Sequence, residues 1–181
     1  MTYIFRFNQC NCYIYEKTTG GKSERQRICS HERFLEGAPS GEVSLNVIVD
    51  TNVVRDVLLE REPFVQAAVD VFCLVEQSRI NAFLCVTTIT TIDYLLTQSL
   101  PASKARDALR KLISLFEIAT VNRPVIERAL ASKLHDFEDA VLDEAGQMAG
   151  VDCIVTRNTK DFSGSALMVF EPFEFLAQFN E

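Results

Sequence analysis

From residue 45 onward, short apolar runs alternate with longer segments of helical periodicity, and this alternation restricts the folds open to the chain. The short runs favour β-strands and lie at 45–49, 80–86, 116–121, 151–156 and 167–170. The segments between and after them have helical spacing and lie at 51–60, 63–77, 89–96, 102–115, 124–134, 136–149 and 172–179. Strands that alternate with helices form a parallel sheet covered on both faces. We predict an α/β fold, a three-layer α/β/α sandwich with a central, mainly parallel sheet.

Residues 1–43 differ in character from this pattern. Aromatic residues alternate near the start and predict a strand: Tyr3, Phe5 and Phe7. Two glycines, Gly20 and Gly21, can close a hairpin, and the Gly-Ala-Pro-Ser-Gly stretch at 37–41 is typical of a linker. We therefore predict an N-terminal extension at 1–43 and a single folded domain at 44–181.

The six cysteines fall into two groups. Three lie in apolar runs and are expected to be small buried hydrophobes: Cys73, Cys85 and Cys153. The other three form a C-x-C and, with a histidine, a C-x-H pattern: Cys10, Cys12, Cys29 and His31. This spacing is tighter than that of usual zinc sites, so zinc in the extension is a minor alternative.

The charge of the chain limits how it can handle nucleic acid. The net charge is −7, and residues 1–43 hold six basic and five acidic side chains, which leaves twelve basic against twenty acidic in the remainder. Because nucleic-acid binding depends on basic groups that neutralise phosphates, such a domain needs cations between its carboxylates and RNA. No apolar run approaches the length of a membrane span and the first residues do not resemble a secretory signal, so we expect a cytoplasmic protein.

Several aspartates are placed where a parallel sheet would gather them. Asp50 ends the first strand and Asp161 follows the fourth, so both belong at the carboxyl edge where ligands bind. Asp93 interrupts an apolar helical segment, which is unusual because a buried unpaired charge is costly. Three further aspartates share one helix face by their spacing: Asp136, Asp139 and Asp143.

Carboxylates that converge repel each other by on the order of 4 kcal/mol at ~4 Å and an effective dielectric of 20. A pocket that collects them therefore favours a bound hard cation, Mg²⁺ or Mn²⁺. Simpler interpretations remain open from the residues alone. Asp136 can cap the following helix, Asp161 can belong to a turn, and Asp143 and Glu144 are expected on the solvated helix surface.

Four segments, in this order, resemble the motifs of PIN-domain nucleases, and in particular of bacterial VapC-like toxins. They lie at 47–53 (VIVDTNV), 87–93 (TTITTID), 136–140 (DFEDA) and 154–162 (IVTRNTKDF). The second departs from the family pattern, which usually has Glu where this chain has Asp93. The resemblance implies a metal-dependent ribonuclease that prefers single strands.

The resemblance also implies roles for individual residues. Asp50 and Asp139 would be the main ligands of Mg²⁺ or Mn²⁺, completed by Asp93 and Asp161. Supporting residues would orient carboxylates or water: Asn52, Asp136, Thr156 and Asn158. Basic residues near the motifs can contact phosphate or, equally well, pair with the carboxylates: Arg55, Arg157 and Lys160.

Members of toxin type form homodimers and are silenced by a small antitoxin, so the resemblance implies RNA, an antitoxin and a second copy as partners. By the same analogy, helices 51–60 and 63–77 are candidates for the antitoxin surface. Two alternatives are kept. One is a catalytically weak PIN-like module that binds RNA or protein, favoured by Asp93. The other is a phosphohydrolase with Asp50 as nucleophile, which would want an acid where Asn52 stands and a lysine such as Lys160.

Overall fold

The computed structural model describes residues 45–179, and it describes three segments of the extension as backbone strands. These strands are β1 (Thr2–Asn8), β2 (Cys12–Thr19) and β3 (Lys22–Arg27), and they form an antiparallel sheet in that order. The strand expected at the start of the chain is confirmed. Thr19 pairs with Lys22, so β2 and β3 are antiparallel neighbours as the predicted hairpin requires, while the two glycines between them lie outside the described residues. The expected linker, the boundary near residue 43 and the side chains of the zinc alternative lie outside the described part of the chain.

The domain from Leu45 alternates strands and helices as the sequence predicts. Its described strands are β4 (Leu45–Val49), β5 (Ile80–Cys85), β6 (Glu117–Ala119), β7 (Cys153–Val155) and β8 (Met168–Phe170). Its described helices are α1 (Thr51–Leu58), α2 (Val65–Glu76), α3 (Val86–Ser99), α4 (Ala102–Ile113), α5 (Arg123–Ala131), α6 (Phe137–Ala149) and α7 (Pro172–Ala177). The α/β prediction is confirmed, and the five described strands are all parallel.

Two apolar layers cover the sheet, one on each face. Along β4, Val47 and Val49 face a core built with α1, α2, α3, α4 and α7, whereas Ile48 faces a second core built with α5 and α6. This alternation follows from the two-residue period of a strand. The three expected buried cysteines, Cys73, Cys85 and Cys153, are free thiols within these cores. The three-layer α/β/α prediction is therefore confirmed.

The strand order places a crevice at the centre of the sheet. The order is β6-β5-β4-β7-β8, so the chain builds outward from β4 in both directions. Ligands of open parallel sheets bind outside the carboxyl ends of the strands where the order reverses, which here is between β4 and β7. These are the strand ends that Asp50 and Thr156 directly follow.

Gly150 ends α6 in the left-handed conformation, with φ +71°, as expected for a terminating glycine. Within the described residues, no helix combines the length and apolar character required to cross a bilayer.

Candidate active site at the carboxyl edge of the sheet

Asp50 lies at the junction of β4 and α1, and its side chain is held on one oxygen. Its backbone N–H donates to the carbonyl of Val155 at 3.0 Å, which fixes it beside the end of β7. The Thr156 hydroxyl donates to Oδ2 at 2.6 Å and the Asn52 amide donates to the same oxygen at 2.5 Å. Only 6% of Asp50 is exposed, and this burial raises the pKa of its carboxyl, while hydrogen bonds, that of Thr156 first, act in the opposite direction.

The residues that hold Asp50 are themselves held. The Asn52 amide also donates to the Thr156 hydroxyl at 3.0 Å, and the backbone N–H of Asn158 donates to that hydroxyl at 3.0 Å. Asn52 and Thr156 are buried, so these bonds form in a place from which water is largely excluded. The sequence names all three as supporting residues, and the structure places each of them around Asp50 or its partner.

A cavity of about 470 Å³ opens beside Asp50 and is rich in carboxylates. The acidic side chains that line it are Asp50, Asp136, Glu138, Asp139 and Asp161. Among the described residues, the basic side chains that line it are Arg55 and His135. The amino ends of α1 and α6 both meet this cavity, and the positive ends of their dipoles partly offset its negative charge.

Asp139 is affected both by burial and by the neighbouring carboxylates. Its pKa rises to about 7, first because of burial and then because of repulsion from Asp50, Asp136, Asp161 and Glu138. Burial and four neighbouring acids all raise this pKa, which indicates that the pocket lacks a cation to offset the charge of Asp139 among the described groups beside it.

The structure does not place Asp93 in the pocket, which corrects the site expected from the sequence. The Oδ1 of Asp93 lies 3.3 Å from Nε of Arg106 on α4. The face of α3 that meets the site carries Thr88, whose hydroxyl bonds that of Thr51 at 2.9 Å, and Thr91, which lines the pocket. A residue two positions after Thr91 is rotated by about 200° around the helix, so Asp93 faces away.

Glu138 is a pocket residue that the sequence analysis did not single out. Its Oε1 accepts weak hydrogen bonds from the hydroxyl of Thr51 at 3.5 Å and from that of Thr91 at 3.4 Å. The side chain therefore spans from α6 to α1 and α3, toward the side of the pocket where an acid on α3 was expected. The sequence offers one signal for it, its place in the first turn of α6 between Asp136 and Asp139. His135 was missed as well, and no sequence pattern marks it.

Two further aspartates, one at the start of α6 and one within it, hold parts of the fold together. Asp136 caps the helix, because one of its oxygens accepts the backbone N–H groups of Glu138 at 2.7 Å and Asp139 at 3.3 Å, and it also lines the pocket. The expectation that Asp143 is solvated is wrong. It is 3% exposed and accepts from the Ser165 hydroxyl at 2.5 Å, which ties α6 to the segment before β8.

The basic residues separate into different roles. Arg55 lines the pocket. Arg157 does not: its Nε lies 2.7 Å from the buried carboxylate of Asp56, so it is in a salt bridge and not at a phosphate position, and its partner is not one of the motif carboxylates that the sequence analysis considered. Lys160 is not among the described residues that line the pocket.

The donor set of the pocket suits a hard divalent cation, since its carboxylate, amide and hydroxyl oxygens are the ligands that Mg²⁺ and Mn²⁺ prefer. Within the described residues, no three His, Cys, Asp or Glu side chains form a ready-made metal cluster. Mg²⁺ usually binds through one or two carboxylates and keeps several waters, so a closed protein cage is not required. The residues present therefore fit such an ion.

Comparisons with known proteins agree with this fold. A family model described as PIN domain matches residues 46–160. A chain of a toxin-antitoxin complex from Klebsiella pneumoniae is 25% identical with a TM-score of 0.55, over 71% of this chain and 98% of that one. FitAcB from Neisseria gonorrhoeae is 17% identical with a TM-score of 0.53, over 70% and 98%. VapBC2 from Rickettsia felis, bound to a promoter DNA fragment, is 12% identical with a TM-score of 0.54, over 70% and 98%.

No curated protein sequence matches the chain significantly. The family match nevertheless covers more than half of the 181 residues and includes the strand ends and helices that build the pocket. This chain belongs to the PIN-domain family.

Proposed function

We propose that this protein is a ribonuclease that depends on Mg²⁺ or Mn²⁺ and hydrolyses phosphodiester bonds of RNA. The observation that carries the proposal is a cavity lined by five carboxylates, in which the pKa of Asp139 rises to about 7. Such a cavity attracts a divalent cation and repels an unaccompanied phosphate. Membership in the PIN-domain family supports nuclease chemistry at this place.

Different residues of the pocket would bind the metal and orient its ligands. Asp50, Asp139 and Asp161 would hold the metal, and Glu138 supplies the further carboxylate that Asp93 does not bring to the pocket. The chemistry that a bound divalent ion supplies is neutralisation of the phosphate charge and activation of a water as nucleophile. Asn52 and Thr156 keep one oxygen of Asp50 occupied, which fixes the direction of the other.

The substrate side of the pocket depends on Arg55. It is the arginine that lines the cavity among the described residues, and a guanidinium forms paired hydrogen bonds with phosphate oxygens. The acidic balance of the chain provides little other attraction for RNA, so binding should require the metal as well as Arg55.

The structural relatives support a role as the toxin of a toxin-antitoxin pair. The Klebsiella structure is a toxin-antitoxin complex. By analogy we propose that the protein binds a small antitoxin, forms a homodimer, and acts on RNA in the cytoplasm. We propose that the antitoxin binds the surface formed by helices α1 and α2.

The direct test is cleavage of structured and unstructured RNA by the purified protein with Mg²⁺, Mn²⁺ or EDTA. We expect cleavage that EDTA abolishes and that Asp50→Asn and Asp139→Asn abolish. Asp107→Asn is the matched control, because Asp107 is an exposed aspartate on α4 that pairs with Arg110 outside the pocket. Undiminished cleavage in EDTA would exclude the proposed mechanism.

A catalytically weak module that binds RNA or protein is the second candidate. It is favoured by one observation, the absence of Asp93 from the residues that line the pocket. RNA binding without metal-dependent cleavage would support it. The phosphohydrolase alternative has no such support, because Lys160 is not among the described residues lining the cavity and Asn52 is bonded to Asp50.

A further inference from the structure

A second buried carboxylate lies on α1 next to the proposed active site but does not face it. Asp56 is fully buried, and its two oxygens lie 2.7 Å from Nε of Arg157 and 3.8 Å from Nη1 of Arg61, in charge pairs that do not have hydrogen-bond geometry. Removing a charge from water at such a place is expensive unless the pairing geometry is good. A buried pair of this kind is weak evidence for stability alone, and the contacts of Arg157 indicate a second role.

Arg157 is fixed to α1 through its backbone and its side chain. Its backbone N–H donates to Oδ1 of Asn52 at 3.1 Å, and its guanidinium pairs with Asp56. Asn52 and Asp56 are four residues apart and so lie on the same face of the helix. The guanidinium also lies over the ring of Phe64, 4.3 Å from its centroid, in a cation–π contact.

The next residue toward the amino end is Thr156, which holds Asp50. Thr156 and Asn52 donate to the same oxygen of Asp50, and Arg157 contacts Asn52 while being covalently joined to Thr156. Any movement of Arg157 would consequently move both donors relative to Asp50. Only 16% of the Arg157 side chain is exposed, so it has little freedom to adopt another arrangement.

We infer that Arg157 and Asp56 are a positioning pair, which locks the end of β7 onto α1 and thereby sets the orientation of the Asp50 carboxylate. The inference rests on the proposed function, because Asp50 is taken as a metal ligand. Arginine suits the role, since its delocalised charge lies beside the carboxylate through Nε while its planar face lies over the ring of Phe64; lysine presents a point charge and cannot do both.

The test is Mn²⁺ binding measured by calorimetry for the wild type, Arg157→Lys and Asp56→Asn. Loss of an outer partner of a metal ligand typically weakens metal binding 10- to 100-fold, and we expect about tenfold for both variants. Arg157→Lys keeps the positive charge beside Asp56, so it remains available if Asp56→Asn does not fold. The control is Leu112→Ala, which shortens a buried side chain of α4 outside the site and should lower Tm without changing the Kd for Mn²⁺.

Hydrogen exchange of the Arg157 backbone amide, followed by NMR, is the second measurement and needs no metal. We expect this amide to lose protection in Arg157→Lys and Asp56→Asn and to keep it in Leu112→Ala. Wild-type Mn²⁺ affinity together with wild-type protection in both variants would overturn the inference. If the wild type binds no Mn²⁺, the proposed function fails instead. The protection of the amide alone then decides whether Arg157 and Asp56 fix the end of β7 to α1.

Discussion

Asp50 and Asp56 are both buried aspartates at the ends of the same short helix, yet their surroundings are opposite. Asp56 pairs with two arginines, Arg157 and Arg61. Asp50 receives hydrogen bonds from neutral groups and faces a cavity lined by four other carboxylates. Burial raises the pKa of both carboxyls, but the arginines act against this at Asp56, whereas Asp50 has further negative charge beside it. This difference indicates that Asp50 serves a ligand directly, whereas Asp56 acts through the residues that it holds in place.

Exchanging each of these aspartates for asparagine should separate the two roles. Asp50→Asn should lower RNA cleavage by more than about a hundredfold, because it removes a proposed ligand and even outer partners of ligands cost up to that much. Its unfolding free energy should change little, because the loss of a repulsive charge from the pocket offsets the weaker hydrogen bonds from Asn52 and Thr156. Cleavage rates and urea denaturation are the measurements.

Asp56→Asn should lower the unfolding free energy more than Asp50→Asn does and lower cleavage less. Breaking a buried ion pair by removing one partner destabilises a protein by about 3 kcal/mol or more, so the loss in unfolding free energy should be large. Cleavage should fall less than in Asp50→Asn once both are measured below the unfolding transition. Equal losses of activity and equal stabilities for the two variants would remove the distinction between the sites.

The next contrast is between Glu138 and Asp93. Glu138→Gln should weaken Mn²⁺ binding and cleavage by about tenfold, because it removes a carboxylate from the pocket. Asp93→Asn should change neither Mn²⁺ binding nor cleavage by more than about twofold. It removes a partly exposed ion pair with Arg106, and ion pairs at the surface contribute about 0–1 kcal/mol. A larger effect of Asp93→Asn than of Glu138→Gln would restore the sequence-based assignment.

The smallest effect concerns pH. Without metal, the pKa of Asp139 is about 7 in the folded protein, above the value near 3.9 of an unfolded aspartate. Its protonated form therefore stabilises the fold, and this contribution is complete below about pH 4 and is lost as the pH rises through about 7. In EDTA, Tm should fall between about pH 4 and about pH 7, and Asp139→Asn should reduce that fall. A slope identical in both proteins would show that Asp139 does not titrate there.

The elements of the fold could be predicted because their signals are local. The run from Leu45 to Val49 is apolar throughout because both faces of β4 are buried, and Asp50 ends it at the sheet edge. The same locality made Asp50 and Asp139 recognisable, since each stands at a strand or helix end within a short motif. The cap at Asp136 and the terminating Gly150 were likewise local features.

The features that sequence could not provide depend on distant partners. The rotation of α3, which turns Thr91 toward the pocket and Asp93 toward Arg106, is set by packing against other elements. Glu138 belongs to the pocket because hydroxyls on α1 and α3 face it. Arg157 stands beside pocket residues in sequence, but its partner Asp56 lies far away in the chain. Helical spacing gave Asp143 a shared face with Asp139, yet only the fold brings Ser165 against it.

The most direct measurement is anomalous diffraction from crystals of the protein soaked with Mn²⁺. If the uncompensated carboxylates form a metal site, the anomalous peak will lie within about 2.2 Å of oxygens of Asp50 and Asp139, the usual length of such bonds. Crystals of Asp50→Asn will then lack the peak. Absence of a peak from the wild-type pocket at saturating Mn²⁺, or its persistence in Asp50→Asn, would contradict the assignment of this pocket as a metal-dependent active site.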